Sequence, residues 1–130
     1  MTYNNTDNDE ISRLRQRIFS MDIERKKLLD RLTRPDEMIE GSLYEVYKKC
    51  GNPRCRCAKG KRHGPFKYLS LKISKKTKLT FIRRRDEAYV LPRAKEYQSY
   101  QKDLATLRKK DGEIARMIAQ IRDFKLKRYE

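Results

Sequence analysis

Four side chains of the types that bind zinc lie within one short segment of the chain. They are Cys50, Cys55, Cys57 and His63, with the spacing C-x4-C-x-C-x5-H. The chain has three cysteines and one histidine, so this segment contains all of them. Structural zinc sites use four tetrahedral ligands, and three cysteines with one histidine are one of the usual sets. The segment therefore predicts one structural Zn²⁺ per chain, held by these four side chains.

Two other interpretations of the cysteines stay open. One is redox chemistry, in the form of a disulfide with one spare thiol, and the other is a set of reduced structural thiols. The odd number of cysteines and an expected intracellular location both disfavour a disulfide. Basic neighbours such as Arg54 and Arg56 favour metal binding, because positive charge stabilises the thiolates that zinc requires.

The positive charge of the chain is concentrated around the same segment. Lys and Arg number 34 against 18 Asp and Glu, a net charge of +16. No acidic residue occurs from Val46 to Arg85, and this basic segment of 40 residues holds 15 of the Lys and Arg. The remainder, with 19 basic and 18 acidic residues, is close to neutral. So much like charge is usually screened by a polyanion, and the commonest polyanion is nucleic acid.

We expect the nucleic-acid contacts to come from the cysteine loop and from the strands that follow it. The candidates are Arg54, Arg56, Lys59, Lys61, Arg62, Lys67, Lys72, Lys75, Lys76, Lys78, Arg83, Arg84 and Arg85. A two-stranded ribbon can enter the major groove, where Arg54 or Arg56 can read guanine edges. The alternative is contact with phosphates alone, which is independent of sequence and more common.

Aromatic residues alternate with these cations. Stacking on unpaired bases is one use for such side chains, and a place in the core of a small sheet is the other. Because aromatic side chains are generally buried, we expect the core. The residues concerned are Tyr44, Tyr47, Phe66, Tyr68 and Phe81.

The elements that must position these residues follow from hydrophobic spacing. Apolar residues recur in steps of three and four from Ile11 to Leu32, which predicts a heptad helix over 9–34 after a disordered N-terminus over 1–8. A second heptad helix is predicted over 86–130. Its apolar seam is Tyr97, Tyr100, Leu104, Leu107, Asp111, Ile114, Ile118 and Ile121. Arg25 and Asp111 interrupt the two seams at equivalent heptad positions, which disfavours a direct pair in an antiparallel arrangement.

Between the helices, a run rich in Tyr and Val predicts a strand over 42–50, after a short helical turn over 35–40. Two further short runs predict strands over 66–73 and 78–84. Residues 42–85 thus form a basic zinc-binding β module. The expected fold is α+β, with antiparallel coiled-coil helices flanking a small zinc-stapled antiparallel sheet of about three strands. Whether the helices pair within one chain or with a second copy stays open.

Several functional classes are disfavoured. The sequence has no phosphate-binding Gly loop and no Ser/His/Asp set, and a site closed by four protein ligands leaves zinc no position for water. We therefore expect a binding protein with no enzymatic activity and no small-molecule substrate. The longest apolar runs are too short for a membrane span, and the polar, acidic start does not resemble a signal peptide. The expected location is the cytoplasm, in association with the nucleoid.

The cysteine segment and the residues after it resemble a known group of sequences. Cys50-Gly51-Asn52-Pro53-Arg54-Cys55-Arg56-Cys57, then Gly60, His63-Gly64-Pro65-Phe66 and Tyr68-Leu69, are similar to the core of a small prokaryotic family of unknown function. Its members are often encoded near transposases or recombinases. The resemblance implies metal binding and an accessory role in a mobile element. Lys67 departs from the family, which tends to have an aromatic residue there.

Together these observations predict a nucleic-acid-binding accessory protein of a mobile element, with duplex DNA as the expected partner. A transposase or recombinase and a second copy of the chain are further candidate partners, reached through the coiled coil. The alternatives are an adaptor whose basic surface docks on an acidic protein, and a protein that binds RNA or single strands.

Overall fold

The chain folds into two helices and one sheet. The computed structural model describes residues 5–49, 51–55, 60 and 62–130. The elements are helix α1 (Asn5–Leu32), strands β1 (Ser42–Lys48), β2 (His63–Ile73) and β3 (Lys76–Phe81), a 3₁₀ turn (Arg84–Asp86) and helix α2 (Glu87–Lys125). The predicted α+β class and the three-stranded antiparallel sheet are confirmed.

The chain divides into two compact units. The helical unit comprises residues 1–34 and 101–130, and the sheet unit comprises residues 35–100. Helix α2 contributes residues to both. Within the described residues, neither helix has an apolar stretch that is long enough to cross a bilayer.

The ends of α1 differ from the prediction. The helix begins at Asn5, within the predicted disordered stretch, while residues 1–4 lie outside the described part of the chain. It ends at Leu32, where the hydroxyl of Thr33 lies within hydrogen-bonding distance of the Leu29 carbonyl, at 2.7 Å, and of the Asp30 carbonyl, at 3.3 Å. The Leu29 carbonyl also accepts from the backbone N–H of Thr33, so the contact with Asp30 is the one that offers a partner to one of the last carbonyls of the helix.

Residues 35–40 do not form the predicted helical turn. The backbone N–H of Ile39 instead donates to the carbonyl of Arg93, at 3.1 Å. The Arg93 guanidinium in turn donates to the carboxylate of Glu37, at 2.9 Å. Ile39 and Glu37 of this segment thus bond to α2, and the segment has no regular secondary structure of its own.

In the helical unit, α1 and the second part of α2 run antiparallel within one chain. Arg31 donates two hydrogen bonds to the carboxylate of Asp103, at 3.1 and 3.2 Å. One and a half turns earlier in α1, Nε of Arg25 lies 3.9 Å from Oδ1 of Asp111, later in α2. The pair of Arg25 and Asp111, which the heptad assignment disfavours, is therefore present.

Ion pairs between the helices also shift the protonation of their members. A hydrogen bond from Lys110 lowers the pKa of Glu24 below its ordinary value. The hydrogen bond to Asp103 raises the pKa of Arg31. Because these groups are exposed to solvent, such pairs contribute little to stability, and they act mainly by fixing which residues face each other.

The buried stripe of α1 follows the predicted heptad seam, with Leu14 and Leu28 buried and the other seam residues half-buried. The stripe of α2 departs from it. Met117 is 6% exposed, whereas Ile118, the predicted seam residue, is 55% exposed. A straight helix drifts by about 20° per heptad relative to a strict seven-residue repeat, so the buried stripe moves to a neighbouring position along a long helix.

The sheet has the order β1-β2-β3. Strands β2 and β3 are joined by Ser74 and Lys75, whose φ angles are +49° and +68°. Positive φ at both central residues is the signature of a two-residue hairpin turn that matches the twist of the strands. The tight turn explains why β3 begins at Lys76, two residues before the predicted start.

Alternation along the strands gives the sheet two different faces. Leu43, opposite Leu69, lies on the aliphatic face, and these side chains are half-buried. Among the described residues of the sheet unit, the fully buried apolar side chains are Ile82, 5% exposed, and Ala94, 0% exposed. Of the five aromatic residues of which several were expected in the core, Phe66 and Tyr68 are half-buried, whereas Tyr44, Tyr47 and Phe81 are 55%, 51% and 49% exposed.

Candidate metal site and nucleic-acid interface

The start of β2 brings two of the four predicted zinc ligands together. His63 is the first residue of the strand and pairs with Lys48 of β1. Cys55 lies in the preceding loop, where its N–H donates to the Asn52 carbonyl at 3.1 Å. The side-chain oxygen of Asn52 accepts from the N–H of Arg54, at 3.0 Å. This local turn places Sγ of Cys55 2.9 Å from Nε2 of His63.

The pair of Cys55 and His63 fits the donor chemistry of zinc. Two ligands on one tetrahedral zinc lie about 3.6 Å apart at the usual bond lengths, so a shift of under about 1 Å would bring this pair to that separation. Cys55 is a free thiol, as zinc binding requires. The other two predicted ligands, Cys50 and Cys57, lie outside the described residues, and the described ones alone form no cluster of three or more metal-binding side chains.

The glycine after His63 has a backbone role. Gly64 has a φ of +139°, which L side chains rarely adopt. A Cβ atom at this position would lie 2.8 Å from the carbonyl oxygen of Val46 on the neighbouring strand. The following Gly64–Pro65 bond is cis. The motif His-Gly-Pro therefore specifies how β2 enters the sheet directly after the candidate ligand.

Most of the predicted nucleic-acid contacts are exposed in the structure. The exposed cations are Arg54, Arg62, Lys72, Lys75, Lys76, Lys78, Arg83, Arg84 and Arg85. Arg56, Lys59 and Lys61 lie outside the described residues. The cations of the β2–β3 hairpin and of the segment after it are thus presented to solvent on one compact part of the chain.

Lys67 has a different environment from the other candidates. It is half-buried, and its ammonium group lies 3.5 Å from the carboxylate of Glu87. In the sheet it is directly opposite Glu45. These two carboxylates offset its charge, so Lys67 is less available to a phosphate than the exposed cations. The ion pair with Glu87 gives a structural reason for a lysine at position 67, where the resembled family tends to have an aromatic residue.

The aromatic residues form a second exposed feature that the sequence analysis assigned to the core. Tyr68 is opposite both Tyr44 and Phe81, so all three rings lie on one face of the sheet. The ring centroids of Tyr68 and Phe81 are 5.5 Å apart, and those of Phe66 and Phe81 are 6.4 Å apart. The signal was present in β2, where Phe66 and Tyr68 alternate onto one face of the strand and Leu69, Leu71 and Ile73 onto the other.

The chain combines a three-stranded antiparallel sheet, which includes one basic hairpin, with two long helices. The chain belongs to the family described as a domain of unknown function, DUF6788, which matches residues 10–90. The match runs from α1 through the sheet to the start of α2. No curated protein and no solved structure matches the chain.

The geometry of Gly64 gives a prediction for stability. Gly64→Ala should destabilise the protein by about 1–3 kcal/mol, because the new Cβ meets a backbone carbonyl at a strained φ. Gly51→Ala is the matched control, since a Cβ there meets nothing within 4 Å, and it should change stability by less than about 0.5 kcal/mol. Urea unfolding followed by circular dichroism measures both. Equal stability of the two variants would contradict the assigned backbone role.

Proposed function

We propose that this chain is a nucleic-acid-binding accessory protein of a mobile element, with DNA as its main target. The observation that carries the proposal is the basic segment, in which 15 cations occur over residues 46–85 without one carboxylate. A phosphate backbone is the common cellular polymer with a matching density of negative charge. The mobile-element context rests on the resemblance of the cysteine motif alone.

The exposure of the hairpin cations supports this proposal. Lys75, Lys76 and Lys78 are exposed along the turn and the edge strand β3. Arg83, Arg84 and Arg85 follow at the end of that strand and are also exposed. Side chains in this arrangement can contact successive phosphates while the sheet keeps their spacing fixed.

A structural zinc ion forms the second part of the proposal. Cys55 and His63, together with Cys50 and Cys57, would hold the ion and tie the loop to the start of β2. Zinc would neutralise the repulsion among the thiolates and supply folding free energy to a unit that has few buried apolar side chains. It would leave no position open for catalysis.

The helical unit would serve association as a coiled coil. Its two helices already pair within one chain, so a partner would have to contact their outer surfaces. Phe19 and Ile23 of α1 are 60% and 59% exposed. A second copy of the chain, or a transposase or recombinase, would then bind through apolar side chains of this kind, which lie outside the basic segment in the sequence.

An adaptor for an acidic protein is the competing function. The basic segment supports it too, because acidic peptides and nucleic acids both present negative charge. Polyglutamate therefore belongs in the same binding assay as duplex and single-stranded DNA. Tighter binding of polyglutamate than of either nucleic acid, at equal charge, would overturn the proposed function.

The basic hairpin gives the principal prediction. Replacing Lys75, Lys76 and Lys78 together with Gln should weaken binding of a labelled 20-base-pair duplex and lower the slope of log Kd against log salt by about 2–3, because each lost phosphate contact accounts for about 0.9. Fluorescence anisotropy over a range of salt concentrations measures this change.

The matched control removes the same charge elsewhere. Lys109, Lys125 and Lys127 are exposed and lie outside the basic segment, so their replacement with Gln should leave the salt slope nearly unchanged. An equal effect of the two triple variants would show that only net charge matters. Absence of nucleic-acid binding by the unmodified protein in about 0.1 M salt would contradict the proposal, since basic surfaces still bind there.

The metal site gives a separate prediction. Protein purified without chelator should contain one zinc per chain, and both Cys55→Ser and His63→Ala should reduce the zinc content to near zero. Removing the metal should also lower the unfolding temperature, because binding of zinc favours the folded state. Elemental analysis and thermal unfolding provide the two readouts. Arg62→Ser is the control, because this exposed neighbour of His63 is not a ligand. Zinc-free unmodified protein would contradict the assignment.

A further inference from the structure

One face of the sheet carries aromatic side chains that the fold leaves exposed. Tyr44, Leu79 and Phe81 are 55%, 60% and 49% exposed, and they come from the two outer strands. Tyr68 of the central strand lies between Tyr44 and Phe81 in the register. We call this the aromatic face. Among the described residues of the sheet unit, the fully buried apolar side chains are aliphatic, and Tyr68 is half-buried. Tyr44 and Phe81 are therefore not required to form the core.

Two of the rings are held in place by each other and by a lysine. Tyr68 and Phe81 meet edge to face, with an interplanar angle of 62°. The ammonium group of Lys48 lies 2.8 Å from the Tyr68 hydroxyl and 5.0 Å from the centre of its ring. Tyr44 and Tyr68 border an open depression of about 440 Å³, which Lys48 also lines. The centre of the aromatic face is therefore preorganised at Tyr68 and Phe81, with a cation beside Tyr68.

Charge indicates what can cover this face. The strand residues that alternate onto it include Lys72 and no carboxylate, whereas Glu45 lies on the aliphatic face opposite Lys67. A second copy of the chain seated here would bring two basic segments, each with 15 cations, against each other. The complementary occupant carries negative charge and flat apolar rings. Unpaired nucleotides have both, as phosphates and bases.

We infer that the aromatic face binds single-stranded nucleic acid, with unpaired bases stacked on Tyr44, Tyr68 and Phe81 and the backbone near Lys48 and Lys72. This inference rests on the proposed function, and it adds a second binding mode to the phosphate contacts of the hairpin. In duplex DNA the base faces are already stacked on one another, so only an opened or unpaired segment can use the aromatic face.

Binding of three labelled probes tests the inference. They are a 12-nucleotide oligothymidine, an abasic strand of the same length and charge, and a 12-base-pair duplex. The unmodified protein should bind oligothymidine at least about tenfold more tightly than the abasic strand, because only the former can stack. Tyr44→Ser and Phe81→Ser should each weaken oligothymidine binding by about tenfold and leave duplex and abasic binding nearly unchanged.

Two sets of variants separate stacking from folding. Tyr44→Phe and Phe81→Tyr keep an aromatic ring and should retain the affinity of the unmodified protein. Phe19→Ser and Tyr129→Ser remove the same two residue types at exposed positions of the helical unit, and they should have no effect. Thermal unfolding of every variant confirms that the fold persists. The chain has 8 Tyr and no Trp, so quenching of tyrosine fluorescence by oligothymidine gives an independent signal of stacking.

The outcomes distinguish this inference from the proposed function. Equal binding of oligothymidine and the abasic strand, or serine variants that lose affinity for all three probes alike, would overturn the stacking role and leave the phosphate-binding function intact. Failure of the unmodified protein to bind any probe would instead overturn the proposed function. Tighter binding to an aromatic-containing acidic peptide than to oligothymidine would assign the aromatic face to a protein partner.

Discussion

Repulsion among like charges is the constraint on which the rest of this structure depends. Forty consecutive residues hold 15 cations and no carboxylate, so the sheet unit cannot neutralise its own surface there. The helical unit is also basic, with 17 Lys and Arg against 11 Asp and Glu, but part of its charge is paired across the two helices, as in Arg31 and Asp103. The fold therefore separates a helical unit in which cations and carboxylates are interspersed from a sheet unit that contains a long run of cations without a carboxylate.

In the sheet unit, most of the described cations are exposed to solvent, which screens their repulsion. Lys67 is the informative exception, because it is drawn towards Glu87 and Glu45 on the aliphatic face. The fully buried apolar side chains among the described residues of this unit are aliphatic. With so few buried side chains, the unit depends on backbone features such as the close approach at Gly64. A zinc ion beside that glycine would add a constraint where the apolar core is weakest.

The predictable parts of the fold were those set by local patterns. The seam of α1 from Ile11 to Leu32 and the strand alternation in β2 fixed the element types and the overall class. The ends of the strands were less predictable, since the two-residue turn at Ser74 and Lys75 lacks the Asn-Gly or Asp-Gly pair that usually marks such a tight turn. The contacts of residues 35–40 with α2 depend on tertiary structure, which no local pattern encodes.

The candidate site was predictable only in part for a related reason. Residue types alone predicted Cys55 and His63 as metal ligands, and the structure places Sγ of Cys55 2.9 Å from Nε2 of His63. The exposure of Tyr44 and Phe81 was missed, because the general tendency of aromatic residues to be buried outweighed the alternation along the strands. In the buried stripe of α2, Met117 is buried where the heptad pattern predicts Ile118. This shift likewise depends on helix drift and on side-chain fit.

The most direct test is to locate a bound strand on the chain by photocrosslinking. A 5-bromouracil oligonucleotide is crosslinked to the protein, which is then cut by a protease that cleaves after glutamate. Since no acidic residue occurs between Glu45 and Asp86, the whole basic segment is released as one peptide, and the crosslinked mass identifies it. We expect the crosslinks on this peptide. Crosslinks confined to peptides from α1 or from the second half of α2 would contradict the assignment of nucleic-acid binding to the basic segment.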